Sequence, residues 1–237
     1  MKSTDPRSLV AADAAASTGQ ALLELLRRRG VTYLFANSGT DFASISEGLA
    51  SAAEAAIPVV EAVLVPHENI AVGMAYGVAM VTGAPQAVMV HVNVGTANAL
   101  CGLINASREN VPMLLMAGRT PLYESGRPGA RSLNIHWAQE MFDQGGIVRE
   151  HVKWDYELRA ASQLEVVLDR ALAIANTEPA GPVYLTLPRE VLAEPAAVLA
   201  SPGAALMAPA AARLPDPGAI ERAAQILAQA ENPLIIT

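Results

Sequence analysis

The apolar positions of this chain form short continuous runs, and segments with helical periodicity lie between them. The runs fall at 33–36, 59–65, 87–92, 113–117 and 181–188. The periodic segments fall at 18–29, 43–53, 68–81, 98–107 and 162–176. Continuous apolar strands that alternate with helices are typical of a parallel sheet that is buried on both faces. The pattern therefore predicts an α/β fold in which helices flank a doubly wound parallel sheet.

The ends of several predicted elements carry capping or turn residues. Thr18 is expected to cap the first helix, which runs to Arg29 and stops at Gly30. The segment 93–97 is predicted to be a turn between a strand and its helix. Between 119 and 146 the chain is irregular around one short predicted helix at 137–142, and a loop of this length is usually functional.

Three strand-end turns are rich in small and polar residues. They lie at 37–41, 67–68 and 93–98. In a doubly wound sheet, ligands bind in the crevice at the carboxyl ends of the strands. We therefore expect these three turns to face one another around a ligand site.

Glu68 stands at the start of a long uncharged stretch. From Asn69 to Ser107 the chain contains no Asp, Glu, Lys or Arg, so the elements in this stretch are predicted to be buried on both faces. Burial disfavours the charged form of a carboxyl group, which suits a residue that relays a proton near neutral pH. Taken alone, Glu68 fits better as a helix-start carboxylate that the N-terminal dipole stabilises. Both interpretations of Glu68 stay open at this point.

Composition divides the chain into four parts. Residues 1–17 form an N-terminal extension, 18–192 the α/β domain, 193–216 an Ala- and Pro-rich linker, and 217–237 the start of a second α/β domain. The last part holds a predicted amphipathic helix at 219–230 and a strand at 234–236. A lone strand is not stable without its sheet. We therefore expect a truncated chain that stops inside the second domain, rather than a naturally split subunit.

Charge and composition argue against several classes of function. The 237 residues carry a net charge of −7, and the largest basic cluster is Arg27-Arg28-Arg29 at a helix end, which argues against nucleic-acid binding. Polar turns divide the uncharged stretch into segments too short to span a membrane. The N-terminus lacks the apolar core of a signal peptide, and the single cysteine, Cys101, is expected to be a small core residue. These features predict a cytoplasmic protein.

The order and spacing of the motifs resemble those of a known family. The matching residues are His67-Glu68-Asn69, Ala71, Ala75, Gly77, Thr82-Gly83, Gly95-Thr96-Ala97-Asn98, Val111-Pro112, Ala117-Gly118, Gly181-Pro182-Val183 and Leu187-Pro188. They resemble the pyrimidine-binding domain of thiamine-diphosphate enzymes, in the group of acetolactate synthase, pyruvate oxidase and benzoylformate decarboxylase. The resemblance runs from Gly19 to Leu192, and the segment from Pro217 onward resembles the start of that family's middle domain.

The resemblance implies cofactors and a partner. Thiamine diphosphate would bind with Mg²⁺, which the family holds through a third domain that this sequence lacks, so no metal ligand is assigned to this chain. The family builds its site from the pyrimidine domain of one chain and the diphosphate domain of another. A second subunit in a homodimer or homotetramer would therefore supply the diphosphate-binding domain, and this polypeptide would be inactive alone. Whether FAD binds the middle domain, as in some relatives, is left open.

The resemblance also implies roles for individual residues. The Glu68 carboxyl would bind the aminopyrimidine ring nitrogen and promote the tautomer that activates the cofactor. His91 lies in a stretch similar to benzoylformate decarboxylase and would act as an acid and base. Further implied contacts are Asn37, Ser38, Gly39, Gly95 and Asn98 for the cofactor, and Thr40 and Gln139 for the substrate. The structural alternatives are a core histidine for His91, a helix cap for Thr40 and an exposed helix for Gln139.

The substrate class stays open because the sequence departs from the family pattern. Ser38 replaces a Pro of the decarboxylase turn, and Asn93-Val94-Gly95 replaces the Gly-Pro-Gly that is common in synthases. The pair Gln139-Glu140, however, is similar to one that synthases and lyases place near the active site. The prediction is a 2-oxo acid decarboxylase or carboligase, with an acetolactate synthase-like carboligase or a 2-hydroxyacyl lyase as the alternative.

Two alternatives come from other functional classes. A non-catalytic interaction domain would keep this fold without the chemistry, but the retention of Glu68 argues against it. An ordinary nucleotide-binding α/β domain would need a phosphate-binding loop such as Gly-x-Gly-x-x-Gly, and no such loop follows any predicted strand.

Overall fold

Helices cover both faces of one six-stranded sheet in the computed structural model, which describes residues 16–197, 205–211 and 214–236. The strands are β1 (Tyr33–Ala36), β2 (Glu61–Leu64), β3 (Gln86–Val90), β4 (Met113–Arg119), β5 (Asp155–Glu157) and β6 (Pro182–Pro188). The helices are α1 (Thr18–Arg28), α2 (Ala43–Glu54), α3 (Glu68–Thr82), α4 (Val92–Arg108), α5 (Ile135–Ala138), α6 (Leu164–Asn176), α7 (Arg189–Ala193) and α8 (Pro217–Gln229).

All neighbouring strands of the sheet are parallel, and their order is β2-β1-β3-β4-β6-β5. The chain passes from β1 outward to β2 and then returns to the other side of β1, where it forms β3 and β4. This reversal makes the boundary between β1 and β3 the topological switch point, where doubly wound sheets bind ligands. The predicted α/β fold with flanking helices is confirmed.

The sheet has a separate apolar core on each face, because alternate strand residues point to opposite sides. Leu34, Met116 and Leu185 pack with residues of α1, α2, α6 and α7. Leu115 and Tyr184 pack instead with α3 and α4. Each fully buried Leu or Met side chain stabilises the fold by about 1.5–3 kcal/mol. Burial on both faces explains why the strands read as continuous apolar runs.

The edge strand β5 was not predicted from the sequence. It has only three residues, which are half-buried and include Asp155 and Glu157, and it pairs with β6. Strands were predicted from continuous runs of apolar residues, and a strand this short and polar contains no such run. The short helix predicted at 137–142 was also misplaced, since α5 lies at Ile135–Ala138 and Phe142 is fully exposed.

Helix α4 begins earlier than predicted. The strand before it ends at Val90 and His91 is the N-cap, so the predicted turn at 93–97 lies inside the helix. The Gly95 amide donates to the His91 carbonyl at 2.7 Å, which closes the first turn. Val92 has a φ of +34°, a strained conformation for a β-branched residue that costs roughly 1–3 kcal/mol. The connection between β3 and α4 is therefore very short, and His91 stands at its tip.

Helices α3 and α4, which carry charge only at Glu68 and Arg108, are buried on one face only in this chain. Ile70, Met74 and Val81 of α3 are exposed. Cys101 of α4 is also exposed, which corrects the prediction that it is a core residue. Strand β3, in contrast, is buried throughout. A sequence stretch without charged residues predicts a surface that is covered. It does not show whether the chain's own core or another protein covers that surface.

Helix α1 is capped by Ser17 rather than by Thr18. The Ser17 hydroxyl oxygen accepts a hydrogen bond from the Gln20 amide at 3.2 Å. The Thr18 hydroxyl donates instead to the Glu194 carbonyl at 3.0 Å. Thr18 is thus the first residue of the helix, and its side chain ties α1 to the segment that follows α7.

Arg29, at the other end of α1, is buried against α6. Its Nε donates to Asp169 Oδ1 at 2.6 Å, and its Nη2 donates to Glu165 Oε1 at 3.0 Å. The hydrogen bond to Asp169 raises the pKa of the Arg29 guanidinium above its ordinary value. The Asp169 carboxylate also accepts a hydrogen bond from the Leu206 amide at 2.6 Å. This ion-pair cluster therefore joins α1, α6 and the 205–211 segment.

Ala56, just after α2, has a φ of +54°, a left-handed conformation that is costly for a residue with a Cβ. We expect Ala56→Gly to raise the free energy of unfolding by roughly 0.5–1 kcal/mol, because glycine adopts this conformation without the steric cost. Ala55 has a φ of −85° and provides the control, since Ala55→Gly should lower stability by about the same amount. Urea unfolding measures both substitutions, and a loss of stability at both positions would contradict the prediction.

The described C-terminal segment contains α8 but no strand. The Asp216 side chain caps α8 by accepting a hydrogen bond from the Ala219 amide at 2.7 Å. The strand predicted at 234–236 is not formed, because a strand requires a neighbour for its backbone hydrogen bonds. Across residues 16–197, 205–211 and 214–236, no helix is both long and apolar enough to cross a membrane.

Candidate functional site

The turns that follow β2, β1 and β3 meet at the carboxyl edge of the sheet. The Asn37 side-chain amide donates to the Val65 carbonyl at 3.0 Å, which ties the end of β1 to the end of β2. From the turn after β1, Asp41 reaches His91 at the end of β3. The strand-end turns therefore converge as predicted, at the switch point of the sheet.

Glu68 is the first residue of α3, and only 8 % of it is exposed. His67 caps this helix, since its Nδ1 accepts a hydrogen bond from the Asn69 amide at 3.1 Å. Asn98 of α4 donates from Nδ2 to Glu68 Oε2 at 3.2 Å. Within the part of the chain that the structure describes, Glu68 Oε1 accepts no hydrogen bond. One carboxylate oxygen is therefore able to bind a ligand group at this edge.

His91 is held between a carboxylate and an amide. Its Nδ1 lies 2.5 Å from Asp41 Oδ1, and its Nε2 lies 3.1 Å from Gln139 Nε2. The hydrogen bond to Asp41 raises the pKa of the His91 imidazole, against the opposing effect of burial, and the nearby Glu68 carboxylate adds to the increase. His91 is not a histidine packed in the apolar core, because its side chain is 18 % exposed at the sheet edge.

Two glycines make room for this arrangement. A Cβ at Gly39 would overlap the His91 ring, and a Cβ at Gly118 would overlap the Asp41 carboxylate. Gly39 was predicted to contact the cofactor, and the structure places it against the His91 ring. Gly118, near the end of β4, had no predicted role in the site. Both positions require a residue without a side chain, because a protein side chain already occupies the space.

The other residues predicted to contact a ligand, Ser38, Thr40 and Gly95, differ in how accessible they are. Ser38 and Thr40 are exposed in the turn after β1. Thr40 begins a short 3₁₀ helix whose N-cap is Gly39, so its hydroxyl does not serve as a helix cap. A Cβ at Gly95 would lie 3.0 Å from the Cβ of Val90, which makes Gly95 a close-packing contact between α4 and β3. Ser38 and Thr40 are thus accessible to a ligand, whereas Gly95 has a clear role in packing.

A buried polar network anchors the long loop beside His91. Gln144 donates from Nε2 to the Gly118 carbonyl at 2.8 Å and to the Tyr184 hydroxyl at 2.9 Å. The Tyr184 hydroxyl also lies 2.9 Å from Thr96 Oγ1 in α4. Burial raises the pKa of Tyr184, so its hydroxyl stays protonated. This network ties the loop that carries Gln139 to the sheet and to α4.

Asp41 is the residue of the site that the sequence analysis missed. It was included in the turn at 37–41, but no role was assigned to it. Its partner His91 lies 50 positions away, and only the parallel pairing of β1 with β3 brings the two together. The available signal was an acidic residue in the turn after β1 and a histidine at the end of β3, which is weak without the strand order.

Comparison with protein families gives one matching model. The model is described as thiamine pyrophosphate enzyme, N-terminal TPP binding domain, and it matches residues 16–147. Thiamine pyrophosphate is another name for thiamine diphosphate. The matched range covers more than half of the chain and contains Asp41, Glu68 and His91.

Curated relatives include decarboxylases and synthases. Benzoylformate decarboxylase of Pseudomonas aeruginosa is 29% identical over 214 residues, which cover 90% of this chain and 37% of the relative. The acetolactate synthase large subunit of Buchnera aphidicola is 26% identical over 225 residues, covering 92% of this chain and 36% of the relative. A probable 2-ketoarginine decarboxylase of Pseudomonas aeruginosa is 29% identical over 222 residues, which cover 93% of this chain and 37% of the relative. The chain thus spans little more than a third of the length of these relatives.

A solved structure has the same architecture. The thiamine diphosphate-dependent 4-hydroxybenzoylformate decarboxylase of Rhodococcus jostii matches with a TM-score of 0.74 and 26% sequence identity. The match covers 92% of this chain and 38% of the Rhodococcus jostii enzyme chain. By its sequence and its fold, this chain belongs to the thiamine pyrophosphate enzyme family and contains the family's N-terminal cofactor-binding domain.

Proposed function

We propose that this chain is the pyrimidine-binding part of a 2-oxo acid decarboxylase, in which Glu68 activates thiamine diphosphate and His91 transfers protons. The observation that carries the proposal is the buried Glu68 carboxylate, whose Oε1 accepts no hydrogen bond from the described residues, at the same sheet edge as a histidine that is hydrogen-bonded to an aspartate. Three of the relatives described above are named as decarboxylases of 2-oxo acids, which supports this reaction class.

The donors and acceptors at the sheet edge fit the pyrimidine end of the cofactor. Glu68 Oε1 would hold a pyrimidine ring nitrogen, while Asn98 keeps the other carboxylate oxygen in place. The surroundings of Glu68 favour such a role, because the stretch from Asn69 to Ser107 is uncharged and weak screening strengthens each polar contact. The further proposed cofactor contacts are Asn37, Ser38, Gly39 and Gly95.

Thiamine diphosphate, when bound, supplies a nucleophilic carbon and a sink for the electron pair that is released when a 2-oxo acid loses carbon dioxide. Glu68 would hold a proton at the pyrimidine nitrogen. His91 would deliver a proton from Nε2, and an imidazole is well suited to this task near neutral pH. Thr40 and Gln139 would bind the substrate, because one is exposed at this edge and the other contacts His91 Nε2.

Decarboxylation and carboligation differ in how they end. A decarboxylase needs a group that protonates the reacting carbon, whereas a carboligase adds a second carbonyl compound at that carbon. A histidine paired with a carboxylate provides such an acid, so we favour the decarboxylase. The acetolactate synthase relatives keep the carboligase as the alternative.

We further propose that a second subunit supplies the diphosphate-binding domain with its Mg²⁺. The outer face of α3 supports this, because it exposes Ile70, Met74 and Met80. Gly73 and Gly77 on the same helix have open space in front of them, so another backbone could approach closely. A groove of about 410 Å³ between α3 and α4 borders this face. Contiguous exposed apolar surface of this kind is typical of an interface.

Calorimetric titration of thiamine diphosphate with Mg²⁺ tests the proposal. We expect no binding to the 237-residue chain alone and saturable binding to its full-length or partner-assembled form, which should then release carbon dioxide from a member of a 2-oxo acid panel. Binding followed by a carbon–carbon coupled product without a free aldehyde would favour the carboligase. An absence of binding in both forms would contradict the catalytic proposal.

A further inference from the structure

Asp41 and His91 form a short hydrogen bond between a buried carboxylate and an imidazole at the carboxyl edge of the sheet. Asp41 Oδ1 lies 2.5 Å from Nδ1 of His91, which is shorter than the separation of about 2.7–2.9 Å that is usual for a charge-assisted hydrogen bond from nitrogen to a carboxylate. Asp41 is 2 % exposed. A buried carboxylate needs a partner, and the imidazole provides one. The pair is therefore a built feature of the site, unlike a surface contact that water would weaken.

This contact decides which nitrogen of His91 carries the proton. A carboxylate accepts hydrogen bonds only, so the neutral ring must place its proton on Nδ1. The other nitrogen, Nε2, then accepts a hydrogen bond from Gln139 Nε2 at 3.1 Å. When a proton arrives at Nε2, the resulting imidazolium is stabilised by the carboxylate next to it. Each of these consequences requires the carboxylate to stay where it is.

Three features keep the Asp41 carboxylate in contact with the His91 ring. Its second oxygen, Oδ2, accepts the backbone amide of Val92 at 3.3 Å, which also secures the strained residue at the start of α4. Gly118 leaves the space that the carboxylate occupies, and Gly39 leaves the space for the imidazole. A carboxylate that served only to stabilise the start of α4 would have no need of the second contact to the ring.

We propose that Asp41 is a positioning residue, whose carboxylate keeps His91 in the Nδ1–H tautomer and directs Nε2 toward the substrate. It acts through His91 and does not itself touch the reacting atoms. The catalytic consequence rests on the proposed function, but the tautomer and the proton affinity of His91 are measurable without any turnover.

Chemical modification of His91 provides the first test. Diethyl pyrocarbonate acylates neutral imidazole, so the pH dependence of modification at the His91 peptide, read by mass spectrometry, reports the pKa of this residue. The charged groups that act on His91 are Asp41 and Glu68, and Gln139 is neutral. In the natural assembly without cofactor, Asp41→Asn should move the midpoint to lower pH, because an amide cannot stabilise the imidazolium as a carboxylate does.

Glu61→Gln is the matched control, because Glu61 is an exposed carboxylate at the opposite end of β2. It should leave the His91 midpoint unchanged, and His67, with 55% of its side chain exposed, serves as a reference within the same digest. An unchanged midpoint in Asp41→Asn would overturn the proposal. A shift of the same size in both variants would also overturn it, since the effect would then be one of overall charge.

The tautomer of the unmodified protein provides the second test, which does not depend on the folding of a variant. Nitrogen-15 NMR of the histidine-labelled assembly distinguishes a protonated Nδ1 from a protonated Nε2, and the signal that is lost in His91→Gln identifies His91. Above the midpoint pH we expect the neutral ring to be protonated on Nδ1. Protonation on Nε2 would overturn the proposal.

Kinetics then separate the positioning role from a structural one. Asp41→Asn should lower kcat by on the order of 10²-fold, within the range that a positioned acid or base contributes, but it should cause no further loss when His91 is already Gln. An equal loss in both backgrounds would show that Asp41 does not act through His91. If no 2-oxo acid is turned over by the wild type, the proposed function fails, whereas the midpoint and the tautomer still decide the role of Asp41.

Discussion

Turnover of a 2-oxo acid by the assembled protein should fall by roughly 10²–10⁴-fold when Glu68 is replaced by Gln. An amide keeps the size of the side chain but cannot exchange a proton with a pyrimidine nitrogen. The start of α3 should remain intact, because its cap is the His67 side chain rather than Glu68. Steady-state kinetics give the loss in kcat, and titration calorimetry shows whether the cofactor still binds.

Glu61→Gln is the control for this substitution too, because it removes an exposed carboxylate from β2 without altering the carboxyl edge of the sheet. Its kcat should match that of the wild type. Unchanged turnover in Glu68→Gln would refute the proton-relay role and leave the interaction-domain alternative. Loss of cofactor binding together with turnover would instead assign Glu68 to cofactor binding.

The free energy of unfolding should fall by about 3 kcal/mol in Asp169→Ala, because the buried Arg29 charge loses one of the carboxylates that compensate it. The Arg29 side chain is only 3% exposed and that of Asp169 is 0% exposed. Arginine keeps its proton even without a carboxylate partner, because its ordinary pKa is the highest of the ionisable side chains, so the guanidinium cannot avoid the cost by becoming neutral. Glu165 still contacts Arg29, so we expect the lower end of the range for such a loss.

Arg28→Ala provides the matched control for the buried pair. Arg28 contacts Glu24 at 3.3 Å on the exposed side of the same helix, with 39% of its side chain exposed, and such surface pairs contribute roughly 0–1 kcal/mol. Urea unfolding of both variants gives the comparison. A cost below about 1 kcal/mol for Asp169→Ala would show that the buried cluster does not stabilise the fold as the geometry indicates.

The sequence was most informative where a residue's environment is set by its own neighbours along the chain. Strands buried on both faces must be apolar throughout, so the runs around Leu34 and Leu115 predicted a parallel sheet without knowledge of its order. The position of Glu68 between a strand and an uncharged helix likewise predicted its burial. Strand β5 escaped prediction because its three half-buried residues are held by pairing with β6 rather than by their own hydrophobicity.

The sequence by itself determined the fold class, the edge of the sheet at which a ligand would bind, and the buried position of Glu68, because each depends on local periodicity and on the rule that parallel strands end together. Only the tertiary structure decided that Asp41 pairs with His91, that Gly118 makes room for this contact, and that α3 keeps an exposed apolar face. These features depend on which strands are neighbours and on what packs against each helix. Such contacts between residues far apart in the sequence arise from the packing of the whole sheet, so they cannot be predicted from any short segment of the chain.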